Sequence, residues 1–220
     1  MLAILWKDLR IEWRTREMIS SLGVLGFLLV ATLGFAGQAG TMPASPGRLG
    51  GALWVSFLFA GMLGIQRSFL LERDNGCLAG LLVSPIDPAR IFLAKLIGNV
   101  VVLAGMQALL TPLAALFIGV PVGAHLPTLA LVLLLGNVGF AAVATTFAAV
   151  AVRTRAREVM LPLLVLPLLL PLVILVVRLT GAVLGGDTLS EVGPVTSYLL
   201  AFDVVYGSAG WMLFEFIVRE

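Results

Sequence analysis

Gln66-Arg-Ser-Phe-Leu-Leu-Glu-Arg-Asp-Asn-Gly-Cys-Leu-Ala-Gly-Leu-Leu-Val-Ser-Pro-Ile-Asp-Pro-Ala-Arg-Ile-Phe-Leu-Ala-Lys95 is the stretch on which the fold turns. On either side lie long apolar runs that suit a bilayer. This stretch instead packs Arg67, Glu72, Arg73, Asp74, Asp87, Arg90 and Lys95 between two such runs, with Leu78, Leu81 and Leu82 as a short apolar cluster inside. The charges place the segment in water or among headgroups, while the leucines ask for a partner to cover them. Pro85 ends the helix that carries the leucines. Asp87 followed by Pro88 reads as an N-cap with proline at the first helical position, so a new helix starts there. The segment is longer than the ~2–8 residues that usually join two helices. It reads as a short, rigid helix at the membrane surface that another protein grips. The competing reading is a solvated charged loop.

Composition sets the environment. Of 220 residues, 60% are hydrophobic and only 12% charged, with mean hydropathy +1.09. Soluble domains carry about 25% charged residues, so this is an integral membrane protein. The net charge of +2 resides in basic residues flanking apolar runs, which points to membrane orientation and away from nucleic acid. Cys77 is the only cysteine, which excludes an intrachain disulfide and any cysteine-rich metal cluster. The first residues lack the charged start, short apolar core and small-residue cleavage site of a signal peptide, so no removal is expected.

The apolar runs predict an all-α protein with six transmembrane helices in a single permease domain spanning 1–220. The spans fall at about 18–37, 49–71, 89–118, 127–152, 159–178 and 197–218, each near the ~20 residues needed to cross the hydrocarbon. Residues 1–17 set Leu2, Leu5, Trp6, Leu9 and Trp13 at helical spacing among basic residues, as in an amphipathic helix lying in the interface. A polar lead-in is the plainer alternative. A Gly/Pro-rich loop covers 38–47, the coupling segment 72–88, a short turn Pro121, His125 and Pro127, a basic loop 153–157 and a polar loop 180–196. In the fourth span Gly136 and Gly139 are followed by Ala141, Thr145 and Ala149, three small residues on one face that permit close packing in lipid.

Lys and Arg fix the orientation. With the N-terminus inside, twelve of the fourteen lie inside and only Arg48 and Arg178 outside. Both termini and the 66–95 stretch are then expected to be cytoplasmic.

Candidate chemistry is sparse. No Gly-x-x-x-x-Gly-Lys-Ser/Thr loop occurs, and the only lysines are Lys7 and Lys95. If ATP drives this protein, a separate subunit binds it, and no catalytic site or directly bound cofactor is expected in this chain. His125 is the only histidine and has no second ligand candidate nearby, so no metal site is expected. No Cys-x-x-Cys-His occurs, which excludes covalent haem attachment. Pro162, Pro167 and Pro171 each remove a backbone donor from the fifth span; they make either a fixed kink or a hinge. Asp203 and Glu215 lie in the sixth span, where an ionisable group defaults to a functional hypothesis. Glu215 has Arg219 four residues on as a favourable partner, and Asp203 is placed a few residues from the outer edge. Leu-Ile-Gly-Asn-Val at 96–100 echoes Leu-Leu-Gly-Asn-Val at 134–138, but the match does not continue and reads as chance.

The sequence Glu72-Arg-Asp-Asn-Gly-Cys-Leu-Ala-Gly-Leu-Leu-Val-Ser-Pro-Ile-Asp-Pro, followed by Ile91-Phe-Leu-Ala-Lys95, resembles the loop between spans 2 and 3 of the haem exporter protein B family. Leu161-Pro-Leu-Leu-Val-Leu-Pro-Leu-Leu-Leu-Pro-Leu-Val-Ile174 resembles the proline-punctuated fifth span of that family. A looser Glu, Gly, Leu, Pro, Lys pattern is common to ABC-2-type exporters. The resemblance covers nearly the whole chain, the last span matching least well.

It implies the permease subunit of a bacterial inner-membrane ABC transporter acting in haem export, or in haem-chaperone loading or release, for cytochrome c maturation. The implied partners are an ABC ATPase subunit docked on Glu72, Arg73, Asp74, Gly76, Leu78, Leu81, Leu82 and Pro85, a haem-handling membrane subunit, a small accessory subunit and a periplasmic haem chaperone, with two copies of this chain in the complex. ATP and haem would then be held by partner subunits. The alternatives are the permease of another ABC-2-type exporter moving a lipid, glycan or small molecule, and an ATP-independent membrane scaffold.

Overall fold

The computed structural model describes residues 6, 10, 17–39, 43–74, 88–151, 157–187 and 189–219. They form six long helices: α1 (Glu17–Ala39), α2 (Pro46–Asp74), α3 (Pro88–Ile118), α4 (Leu126–Ala151), α5 (Arg157–Gly185) and α6 (Leu189–Arg219), with a 3₁₀ turn at Gly123–His125. No strand occurs among the described residues. Trp6 and Arg10 are helical and exposed; the rest of the expected interfacial helix lies outside the described residues.

Local chemistry sets several ends. Ser45 caps α2, accepting from the Arg48 N–H at 3.3 Å on its hydroxyl and from the Leu49 N–H at 3.1 Å on its carbonyl. Pro46 takes the first helical position, where a missing donor costs nothing. Pro88 likewise opens α3. Gly119 ends α3 at φ 79°, its N–H bonded to the Ala115 carbonyl at 2.9 Å, the left-handed stop that glycine supplies without penalty.

Gly186 stops α5 in the same way, at φ 96°. This corrects the polar loop expected over 180–196. Thr180 is buried inside α5, and α6 already begins at Leu189, with Pro194 inside it. Thr180, Ser190, Glu191 and Thr196 are helical residues, and α5 ends at the turn around Gly186.

By length and composition four helices can cross a membrane: Pro46–Arg67, Pro88–Ile118, Leu126–Ala151 and Pro162–Gly185, joined by the shorter apolar helix Leu22–Gly37. This is a multi-pass membrane protein. α4 is the central helix and packs on α2, α3, α5 and α6, while α1 lies outside against α2 and α3. Contacts between α2 and α3, and between α4 and α5, run antiparallel. Thus Phe69 meets Lys95, and a Cβ on Gly136 or Gly139 would meet Val176 or Leu172. The chain goes up and down, so the end of α2 lies beside the start of α3 and the end of α4 beside the start of α5.

Large apolar side chains also cover the outside: Phe27 and Phe35 on α1, Leu163 and Leu170 on α5, Val204, Trp211 and Phe216 on α6. Such a surface suits hydrocarbon as solvent. The core nearest α4 is aromatic, with Trp54 and Phe57 T-shaped at a centroid separation of 5.5 Å and Phe57 and Phe140 tilted at 5.2 Å.

Candidate functional site

Two regions bear on function: the root of the 75–87 segment and the polar groups buried along α4. At the first, α2 runs unbroken to Asp74. Glu72, Arg73 and Asp74 therefore form the last turn of the span's own helix, a correction to the separate short helix expected from residue 72. Gly76, Leu78, Leu81, Leu82 and Pro85 lie outside the described residues. What the structure does place is the pair of helix ends that flank them. Lys95 on α3 is 2% exposed, and its ammonium lies 5.7 Å from the centre of the Phe69 ring on α2, a cation–π contact in a desolvated setting. It holds the end of α2 against the start of α3.

The second region is a set of polar side chains inside the bundle. Trp54 on α2 donates its indole N–H to the Thr180 hydroxyl on α5 at 2.9 Å. The benzo ring of that indole abuts Gly136, where a Cβ would overlap it. Asn99 on α3 donates to the Thr145 hydroxyl on α4 at 2.9 Å. Asn137 on α4 donates back to the Val100 carbonyl on α3 at 3.0 Å. The two asparagines belong to the echoed Leu-x-Gly-Asn-Val segments, and both bonds cross the α3–α4 interface, although only the Asn137 bond joins one echoed segment to the other. The echo was visible in sequence; its meaning depended on which helices pack together. In a bilayer these bonds replace partners that water cannot supply.

Asp203 is a further member. It is 9% exposed, and neither carboxylate oxygen has a hydrogen-bond partner among the described residues. Its Oδ1 occupies the space that a side chain at Gly139 would need. Because α6 starts at Leu189, Asp203 lies near the middle of the helix, opposite the middle of α4, and not at the outer edge as the shorter predicted span had it. Glu215 follows three turns later on α6, its side chain outside the description.

The remaining sequence candidates are plainer. Pro167 and Pro171 are exposed on the outer face of α5, Pro162 is half-buried, and the helix continues through all three. His125 closes the 3₁₀ turn, its N–H bonded to the Val122 carbonyl at 3.2 Å. Among the described residues no cluster of His, Cys, Asp or Glu is arranged to hold a metal ion. Sequence reading missed Trp54, Asn99 and Asn137 as partners; a polar residue inside an apolar run was the available signal.

The family profile described as CcmB protein matches residues 1–210. The chain belongs to the CcmB family. The curated relatives include the heme exporter protein B of Rhodobacter capsulatus, 32% identical over 179 residues and covering 79% of each chain. That of Paracoccus denitrificans is 33% identical over 178 residues, again 79% of each chain. That of Haemophilus influenzae is 31% identical over 175 residues, 79% of this chain and 77% of the relative. For a CcmB chain, the six-helix bundle with an aromatic and amide-lined centre is a transporter component, and the haem exporter protein B resemblance read from residues 72–95 and 161–174 is correct.

Proposed function

We propose that this chain is the membrane permease subunit of a haem export system serving cytochrome c maturation, worked by an ABC ATPase that binds the 72–85 segment from the cytoplasm. Family membership and the names of the curated relatives support the haem assignment. The observation that carries the coupling reading is the Lys95–Phe69 contact. It ties together the two helices that flank the segment, so force applied there reaches α2 and α3 together, and through them α4.

Arg73 and Asp74 orient the dock by charge, and Leu78, Leu81 and Leu82 fill an apolar groove on the ATPase. Swinging a two-state bundle from 1:99 to 99:1 takes about 5.5 kcal/mol of differential interaction, which a rigid, well-rooted segment transmits and a slack one absorbs. Pro167 and Pro171 give α5 a bending point. The chain sits in the bacterial inner membrane with both termini cytoplasmic, following its basic residues. Two copies pair with two ATPase subunits, which hold ATP; a haem-handling membrane subunit, a small accessory subunit and a periplasmic chaperone complete the path, with haem held by those partners.

The experiment is co-purification in mild detergent. The wild-type chain is expected to bring down an ATPase, and Leu81→Asp to lose it together with c-type cytochrome production. Undiminished association and ATP hydrolysis by Leu81→Asp would reject the docking assignment. Normal c-type cytochromes in cells lacking the chain would reject the haem system.

A further inference from the structure

Ser56 and Gln107 bury a polar atom with no hydrogen-bond partner among the described residues, but Asp203 is the ionisable side chain with both oxygens so placed. It lies halfway along α6, nine-tenths buried, with both carboxylate oxygens unpartnered among the described residues. It is also aimed: Oδ1 points at the backbone of Gly139 on α4, in a niche walled by Leu172 of α5 and Phe202. An ionised carboxylate so enclosed is costly unless water or a counter-ion reaches it.

The helices packed against α6 are α3, α4 and α5. α4 carries no titratable residue at all. On α3 the candidates are Arg90, which is exposed, and Lys95, which lies at the Phe69 ring near the helix start. On α5 they are Arg157 and Glu158 at the helix start, and Arg178, which is exposed. On α6 itself Glu191 and Tyr198 lie towards one end and Glu215 and Arg219 towards the other, while Tyr206 is stacked on Phe202 at 4.3 Å. None of them makes a described hydrogen bond to Asp203.

We propose that Asp203 is a proton-binding site of the transport cycle. In this arrangement the side chain is the neutral carboxylic acid, its short form seated against Gly139, and α6 lies flush on α4. When the carboxyl gives its proton to water, the anion left behind has no place in the niche. α6 then parts from α4 until solvent or a cation reaches the carboxylate, and taking up a proton closes the contact again. Gly139 is what allows the closed form, because any side chain there would occupy the position of Oδ1.

The proposal goes beyond the permease reading and needs only that the bundle is membrane-embedded. It is tested on the full chain in native membranes with dicyclohexylcarbodiimide, which adds to protonated carboxyls in apolar surroundings. Mass spectrometry is expected to find an adduct at Asp203 that declines as pH rises, and none at residue 203 in Asp203→Asn. Asp203→Asn, a near-isosteric mimic of the neutral form, is expected to accumulate and to co-purify with its partners normally while c-type cytochrome production falls at least tenfold. An unlabelled Asp203 in membranes where other carboxyls react, or full cytochrome production by Asp203→Asn, would overturn the proposal. Loss of partner binding by Leu81→Asp is a separate readout, so failure of one reading leaves the other standing.

Discussion

Trp54 and Thr180, 126 residues apart, are joined by a buried hydrogen bond of 2.9 Å between indole N–H and hydroxyl. The bond crosses from α2 to α5, and the same indole abuts Gly136 of α4. One side chain therefore sets the spacing of three helices. Trp54→Phe keeps most of the apolar bulk but leaves the Thr180 hydroxyl without its donor. The expected loss is about 1–2 kcal/mol, in the range of interhelical bonds in lipid. Unfolding of the purified protein in mixed micelles measures it.

Gly136 and Gly105 separate packing from helix propensity. A Cβ at Gly136 would overlap Trp54 and lie 2.7 Å from Val176, whereas a Cβ at Gly105 meets nothing within 4 Å. Trp54 cannot swing aside without giving up Thr180. Gly136→Ala is expected to destabilise by about 1–3 kcal/mol, as over-packed cores do. Gly105→Ala is expected to be neutral or to stabilise by up to about 1 kcal/mol. Thermal melts of the two variants in one detergent compare them directly; equal melting temperatures would contradict the packing described for α2, α4 and α5.

Asn99 and Thr145 form the α3 to α4 bond at 2.9 Å. A double-mutant cycle with Asn99→Leu and Thr145→Val is expected to show a coupling energy of about 0.5–2 kcal/mol. Additive effects would mean that the bond contributes nothing measurable.

Pro167 and Pro171 are exposed on α5, so replacing them leaves no cavity in the core. Alanine restores two backbone donors and straightens α5. The double variant is expected to be at least as stable as the wild type, yet to produce several-fold less c-type cytochrome if α5 bends during transport. Unchanged production would make the prolines a fixed kink.

The sequence marked the helices well and their partners poorly. Apolar runs and their charged flanks set where membrane helices occur, and Pro88 marked the start of α3. The fifth and sixth helices ran longer than expected because Thr180 and Pro194 looked like loop chemistry; a buried partner for Thr180 and a place in the first turns of α6 for Pro194 were not legible. The same error put Asp203 near a membrane edge.

By itself, then, the sequence determined that this chain is a helical membrane protein of the CcmB type with a charged segment between its second and third helices. Only the tertiary structure decided that α4 is central, that Asn99 bonds Thr145 and Asn137 bonds the Val100 carbonyl across one interface, and that Asp203 faces Gly139. The reason is physical. In lipid both faces of a helix are apolar, so hydropathy says that a helix crosses the membrane but not which side of it meets another helix. That choice rests on close approach at small residues and on a few buried polar bonds, and both exist only once the helices are side by side.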